Sequence, residues 1–137
     1  MFIVVLHQTE ESSDVFLSTI QTASYSYHAF ISTNGALTYL VPANRAAVAC
    51  GNCELKGISN VDASSYQICL ESIDGSLNSA QYMTLAYLLS RLDIALDKVY
   101  THADLSSSSD LKKLDRVELF RAYNKFLPNK TIYTGLE

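Results

Sequence analysis

Apolar residues recur along this chain with two different periods, and the switch between them lays out the elements. Phe2-Ile3-Val4-Val5-Leu6 is apolar on both faces and rich in β-branched side chains, as a central strand of a covered sheet requires, and His7 closes the run. Residues 10–22 are polar with Val15, Phe16 and Ile20 scattered among them, which predicts a loop and a short helix. Residues 25–32 and 36–41 are β-prone runs on either side of Thr33-Asn34-Gly35. Asn-Gly at such a junction tolerates the positive φ of a tight hairpin, and Pro42 ends the second strand. Residues 43–65 are small, polar and aperiodic, which predicts a long ordered loop of the kind that forms a functional wall or lid.

Residues 66–70 make a further strand. Asn78 then caps a helix whose Gln81 completes a capping box, and Tyr82, Leu85, Ala86, Leu89 and Leu92 recur at helical spacing along its buried face. That stripe reads as core, not as a cofactor box. Residues 98–101 form a short strand and residues 115–126 a closing helix, with Val117, Phe120 and Tyr123 expected to face inward. The order of elements describes an α/β fold, a mixed central sheet flanked by helices, in a single domain over residues 1–137.

Composition narrows the function. Hydrophobic residues make up 48% and charged residues 18%, the balance of a compact folded protein. A net charge of −4 gives no electrostatic reason to expect nucleic acid or an anionic membrane as partner. No stretch approaches the roughly 20 apolar residues of a membrane span. The N-terminal apolar run has no basic flank and stops at His7, so it reads as a first strand, not a signal peptide. Synthesis in the cytoplasm is expected, with any action outside it following release or delivery by another route.

Three cysteines, Cys50, Cys53 and Cys69, do not build a disulfide framework. Cys50-Gly51-Asn52-Cys53 has the spacing of half a zinc ribbon without the second half. Ordinary reduced thiols are expected, with a Cys50–Cys53 bridge formed after export as the alternative. Two histidines carry more. His7 and His102 each follow an extended run, at the carboxyl ends of strands where open α/β sheets place their sites, and Asp110 lies eight residues past His102. Two neutral imidazoles and one carboxylate suit Zn²⁺ and leave its fourth tetrahedral position to water, as in a hydrolytic centre.

The chain also resembles a family. Val4-Val5-Leu6-His7-Gln8-Thr9, Tyr27-His28-Ala29-Phe30-Ile31, Asn34-Gly35, Leu40-Val41-Pro42 with Asn44-Arg45-Ala46-Ala47, Ile68-Cys69-Leu70, Ser79-Ala80-Gln81-Tyr82 and Thr101-His102-Ala103-Asp104 follow, in order and spacing, the zinc-dependent N-acetylmuramoyl-L-alanine amidases of the amidase-2 group. These share their fold with peptidoglycan-recognition proteins and phage lysozymes of amidase type. The resemblance implies a zinc ion on His7, His102 and Asp110, the last at the spacing of the phage enzymes. It implies Tyr27 beside the metal as a hydrogen-bond donor to the developing oxyanion. It gives Arg45 a place in the groove, pairing with a stem-peptide carboxylate. His28, which alternates to the other side of its strand, is read as structural.

Departures from the family pattern bear on turnover. A glutamate that some members carry near the metal is replaced by Cys69, with Glu71 two residues on. The phage-type lysine two residues before the third ligand is Ser108, leaving Lys112 or Lys113 to reach back. A tryptophan–histidine pair is replaced by Val48 and Ala49. The resemblance therefore implies a cell-wall lytic amidase cutting the bond between N-acetylmuramic acid and L-alanine, of lysin, recycling or antibacterial effector type. The alternative is a catalytically impaired module of the same fold that binds peptidoglycan or muropeptides. The implied partner is that substrate, and an inhibitor or immunity protein is a further partner class for an effector.

Overall fold

A computed structural model describes residues 3–126 apart from Asn52, Ser59 and Ser109. Phe2, placed in the first strand by its sequence, lies outside the described residues. Strand β1 (Ile3–Thr9) is the axis of the fold. It pairs in parallel with β4 (Ser65–Glu71) on one side and with β5 (Val99–Thr101) on the other. Strand β2 (Ala29–Ile31) continues the parallel sheet beyond β4, and β3 (Leu37–Tyr39) closes that edge antiparallel to β2. The strand order is β3-β2-β4-β1-β5. The mixed sheet expected from the sequence is present. β1 runs two residues past His7, because Gln8 and Thr9 pair with Leu70 and Glu71.

Alternation along β1 sorts the two faces. Val4 and Leu6 join Ile68, Leu70 and the helices in the larger core, while Ile3 and Val5 face Cys50, Val61 and Leu105 on the other side. Both layers are needed, since Ile3 through Leu6 are fully buried. Helix α1 (Ser13–Thr19) contributes Phe16, whose ring stacks on Phe30 at 4.3 Å between centroids. Helix α2 (Ser79–Arg91) starts at the Asn78–Gln81 capping box and buries Tyr82, Leu85, Ala86, Leu88 and Leu89. Its neighbour is α4 (Arg116–Asn124), capped by Asp115, whose side chain accepts from the N–H groups of Val117 and Glu118.

Here one expectation fails. Val117 and Phe120 are 60% and 53% exposed, and the buried stripe of α4 is Leu119, Ala122 and Tyr123. The buried i, i+3, i+4 set includes Tyr123, whose hydroxyl donates to the carbonyl of Ile94. That tether fixes the rotation of the helix and turns Val117 and Phe120 outward.

The hairpin between β2 and β3 forms on Asn34-Gly35, with Gly35 at φ +83°. Its backbone is pressed against α2, since the Gly35 carbonyl accepts from Thr84 Oγ1 at 2.6 Å. The described residues of the expected 43–65 loop cover the Ile3–Val5 face with Cys50 and Val61, but the loop ends sooner than expected: Asp62–Ser64 make a 3-10 turn and Ser65 already opens β4. No helix among the described residues is long and apolar enough to cross a membrane.

Candidate metal centre

Three elements converge near the C-terminal end of β1. His7, on the β1 face that carries Ile3 and Val5, is 1% exposed. His102 opens α3 (His102–Leu105), the helix that follows β5 directly. Asp110 stands in the loop beyond it. Asp110 Oδ2 lies 3.5 Å from His102 Nδ1 and 3.8 Å from His7 Nδ1, and the two imidazole centroids are 4.7 Å apart. One ligand atom from each of the three falls within 4.8 Å of the others. The three ligands expected from the sequence are therefore brought together, and two imidazoles with a carboxylate are a donor set that fits zinc.

Each of the three side chains is held by a partner. The side-chain amide nitrogen of Gln67 donates to Asp62 Oδ1 at 3.0 Å and to Ser65 Oγ at 2.5 Å, so its oxygen is the atom facing His7 Nε2, at 2.5 Å. An amide oxygen only accepts; Nε2 of His7 therefore carries the hydrogen, and Nδ1 keeps its lone pair on the side of Asp110. Burial, partly offset by the Gln67 hydrogen bond, lowers the His7 pKa to about 4 and keeps the ring neutral. Gln8 positions Asp110. Its backbone N–H donates to Asp110 Oδ2 at 3.1 Å, and its side-chain oxygen accepts from the Leu111 N–H at 2.8 Å. Burial pulls the Asp110 carboxyl upward, but hydrogen bonds from His102, the Gln8 N–H and Ser108 outweigh it and hold the pKa below the ordinary value. His102 is set by the start of α3, where Thr101 and Asp104 form a capping box and Arg116 binds Asp104 at 2.8 Å.

Tyr27 also arrives at the centre, its ring 5.2 Å from that of His7 and 5.9 Å from that of Phe16. Burial, with Cys69 beside it, pushes the phenol pKa well up, so Tyr27 stays a neutral donor. Its neighbour His28 points elsewhere: Nδ1 accepts from the Gln67 N–H at 2.8 Å, which leaves Nε2 to donate to the Arg45 carbonyl at 2.7 Å. Arg45 is exposed, and it is this backbone carbonyl, not the guanidinium, that ties it to the residues around the centre.

Cys69 is the cross-strand partner of His7, fully buried, with its thiol pKa raised by desolvation. Glu71 is committed elsewhere, accepting from Ser13 Oγ at 2.8 Å and from the Thr33 N–H at 3.0 Å. Lys113 pairs with Asp74 at 3.7 Å instead of folding back over the centre. The expectation of reduced thiols at Cys50 and Cys53 is overturned, since the two are joined in a disulfide. Gly51 at φ +59° makes the turn that brings their Cα atoms to 5.4 Å, inside the range a bridge requires.

Sequence reasoning missed Gln67, Gln8 and Asp62. The signal at Gln67 was available, because an amide inside the apolar run Tyr66-Gln67-Ile68-Cys69-Leu70 must find partners when buried. The short helix α3 was missed as well, although Thr101-His102-Ala103-Asp104 carries a capping pattern.

Solved structures with this fold include the amidase AmiD from Escherichia coli, in complex with its anhydro-N-acetylmuramic acid tripeptide substrate. It is 24% identical, with a TM-score of 0.67 over 77% of this chain and 49% of that one. AmpDh3 from Pseudomonas aeruginosa, bound to an anhydromuramic pentapeptide, is 22% identical, with a TM-score of 0.76 over 88% of this chain and 58% of that one. An endolysin from Bacillus subtilis is 15% identical, with a TM-score of 0.63 over 90% and 81%. The chain thus spans less than two thirds of the first two proteins, and at these identities the likeness is one of fold. No curated protein matches the sequence. The family model described as N-acetylmuramoyl-L-alanine amidase matches residues 2–115, a span that takes in every strand of the described residues, Tyr27, His7, His102 and Asp110. The chain belongs to the N-acetylmuramoyl-L-alanine amidase family.

Proposed function

We propose that this chain is a zinc-dependent amidase, a single amidase-like domain that hydrolyses the bond between the lactyl carbonyl of N-acetylmuramic acid and the L-alanine of a peptidoglycan stem. The observation that carries the reading is the convergence of His7, His102 and Asp110, with the His7 tautomer set by Gln67. A zinc ion held there supplies Lewis acidity toward the carbonyl and acidifies a water.

The chain's own residues have defined tasks. His7 binds through Nδ1, which carries no proton in the tautomer that Gln67 selects, His102 supplies the second ring nitrogen, and Asp110 contributes the one negative charge of the set. That leaves the cation's charge only partly cancelled, which favours polarisation of the substrate. Tyr27, neutral and beside His7, donates a hydrogen bond to the carbonyl oxygen as negative charge builds on it. Arg45, exposed on the loop after β3, pairs with a carboxylate of the stem peptide. The substrate implies work on the cell wall or on fragments shed from it, after release or delivery.

A second reading keeps the fold and the metal but not turnover: a muropeptide-binding module. The commitment of Glu71 to Ser13 and Thr33, and of Lys113 to Asp74, favours it, because neither stands ready to protonate the leaving amine. Incubating the purified protein with muropeptides, with added zinc and with chelator, separates the two. Release of stem peptide that chelator abolishes supports the amidase, and saturable binding without release supports the module.

A further inference from the structure

The disulfide stands beside the metal centre, and its sulfurs share a neighbour with it. One ligand atom from each of Cys50, Cys53 and His102 falls within 4.8 Å of the others. We propose that reduction of the Cys50–Cys53 bridge opens a second metal site, made of two thiolates and the His102 ring, that takes a soft or borderline cation such as Zn²⁺ or Cu⁺. Apart from the shared ring it is separate from the hydrolytic centre, so its test does not depend on turnover.

The placement of these groups does not rely on the bridge. The Cys50 N–H donates to Asp62 Oδ1 at 2.9 Å, with the Ala49 N–H on the same oxygen at 3.3 Å. On the far side of the turn, the Glu54 N–H donates to the Leu105 carbonyl at 2.8 Å, which ties the residue after Cys53 to the helix that His102 opens. Cys50 is itself buried against Ile3, Val5, Val61 and Leu105. Both cysteines therefore stay at His102 when the S–S bond is cut.

Local geometry then suits a cation. Metal–sulfur bonds of about 2.3 Å on a tetrahedral centre put the two sulfurs about 3.8 Å apart, which the existing Cα separation of 5.4 Å accommodates by side-chain rotation. Gly51, with open space where a side chain would stand, gives the turn room to adjust. A sequence separation of three also makes this bridge a weak staple, because the loop it closes is so short. Cys-x-x-Cys spacing is found in redox-active and in metal-binding pairs.

The chemistry balances with a two-electron reductant of the dithiol class. Its two S–H groups give two electrons and two protons, the Cys50–Cys53 bond breaks to two thiols, and the reductant closes its own disulfide. Metal uptake then sends the two thiol protons to solvent. In vitro a phosphine performs the reduction and leaves as its oxide, with oxygen drawn from water.

Cobalt(II) is the probe. Metal-stripped protein is prepared oxidised and phosphine-reduced, and cobalt is titrated into each while absorbance is recorded. Thiolate-to-cobalt charge-transfer absorption in the near ultraviolet is expected to appear only in the reduced form, and to be lost in a C50S/C53S double variant. The cobalt concentration needed to develop it should rise at least severalfold in reduced His102→Ala. A reduced wild-type protein whose cobalt spectrum matches the oxidised one overturns the site, and a charge-transfer titration midpoint unchanged in His102→Ala removes His102 from it. Visible ligand-field bands in the oxidised protein report the His7–His102–Asp110 centre independently, so failure of either site is distinguishable from failure of the other.

Discussion

Replacing Gln67 with leucine removes the acceptor that holds His7, at nearly constant volume. Gln67 is fully buried and makes three side-chain contacts, to His7 Nε2, Asp62 Oδ1 and Ser65 Oγ. Two of those partners keep other bonds: Asp62 still accepts from the Cys50 N–H, and Ser65 Oγ still donates to the Val61 carbonyl. The group left orphaned is the His7 Nε2–H. An unsatisfied buried donor costs about 1–3 kcal/mol, so Gln67→Leu should fold with stability lowered by that amount. The loss at the metal is separate. Without its acceptor the ring is free to move its hydrogen to Nδ1, the nitrogen the cation needs. Loss of such an outer partner typically weakens metal binding by about 10–100-fold, or about 1.4–2.8 kcal/mol. Zinc affinity by competition with a chromogenic chelator measures the effect, and long-range nitrogen–proton correlation spectra of the metal-free protein report the tautomer. The wild type should show His7 as the Nε2–H form. A leucine variant with wild-type zinc affinity and an unchanged His7 tautomer would refute the reasoning.

Tyr27→Phe should keep zinc affinity within about twofold while lowering kcat by about 10²–10³, the usual loss for one oxyanion donor; equal losses in zinc binding and rate would assign Tyr27 to the structure of the site instead. Leu85→Ala, at a fully buried position in the larger core, should cost about 2–5 kcal/mol by denaturant unfolding and leave zinc affinity in the folded fraction unchanged. Gly35→Ala forces a side chain into φ +83°, with its Cβ 3.0 Å from the Ala80 carbonyl oxygen, and should cost at least about 1 kcal/mol, read as a lowered melting temperature.

What could be read from the sequence was local or periodic. Helix α2 is a case where capping box and apolar stripe agree: its start at Asn78 and the buried Tyr82, Leu85, Ala86 and Leu89 follow from them, while Leu92 falls at the C-cap and Leu88 joins the buried face. The hairpin follows from Asn34-Gly35 for the same reason. Helix α4 carries apolar residues on two faces, and only the long-range bond from Tyr123 to Ile94 decides which is turned inward. The convergence of His7, His102 and Asp110 was legible because their residue types and their places at strand ends suit one cation. Their supports were not, because they depend on register. Val5 pairs with Gln67, which sets an amide from β4 beside the ring on β1, and no spacing along the chain reveals that pairing. The Cys50–Cys53 bridge shows the same limit, since its spacing suits a thiol pair, a metal clip or a disulfide equally well.

The central claim is that one cation is gripped jointly by His7, His102 and Asp110. Calorimetric zinc titration of the metal-stripped, disulfide-intact protein, repeated on His7→Ala, His102→Ala and Asp110→Ala, tests it most directly. The account predicts one zinc per chain in the wild type and a large loss of affinity in each variant, with the fold retained by circular dichroism. Wild-type zinc binding that survives in any of the three would contradict it.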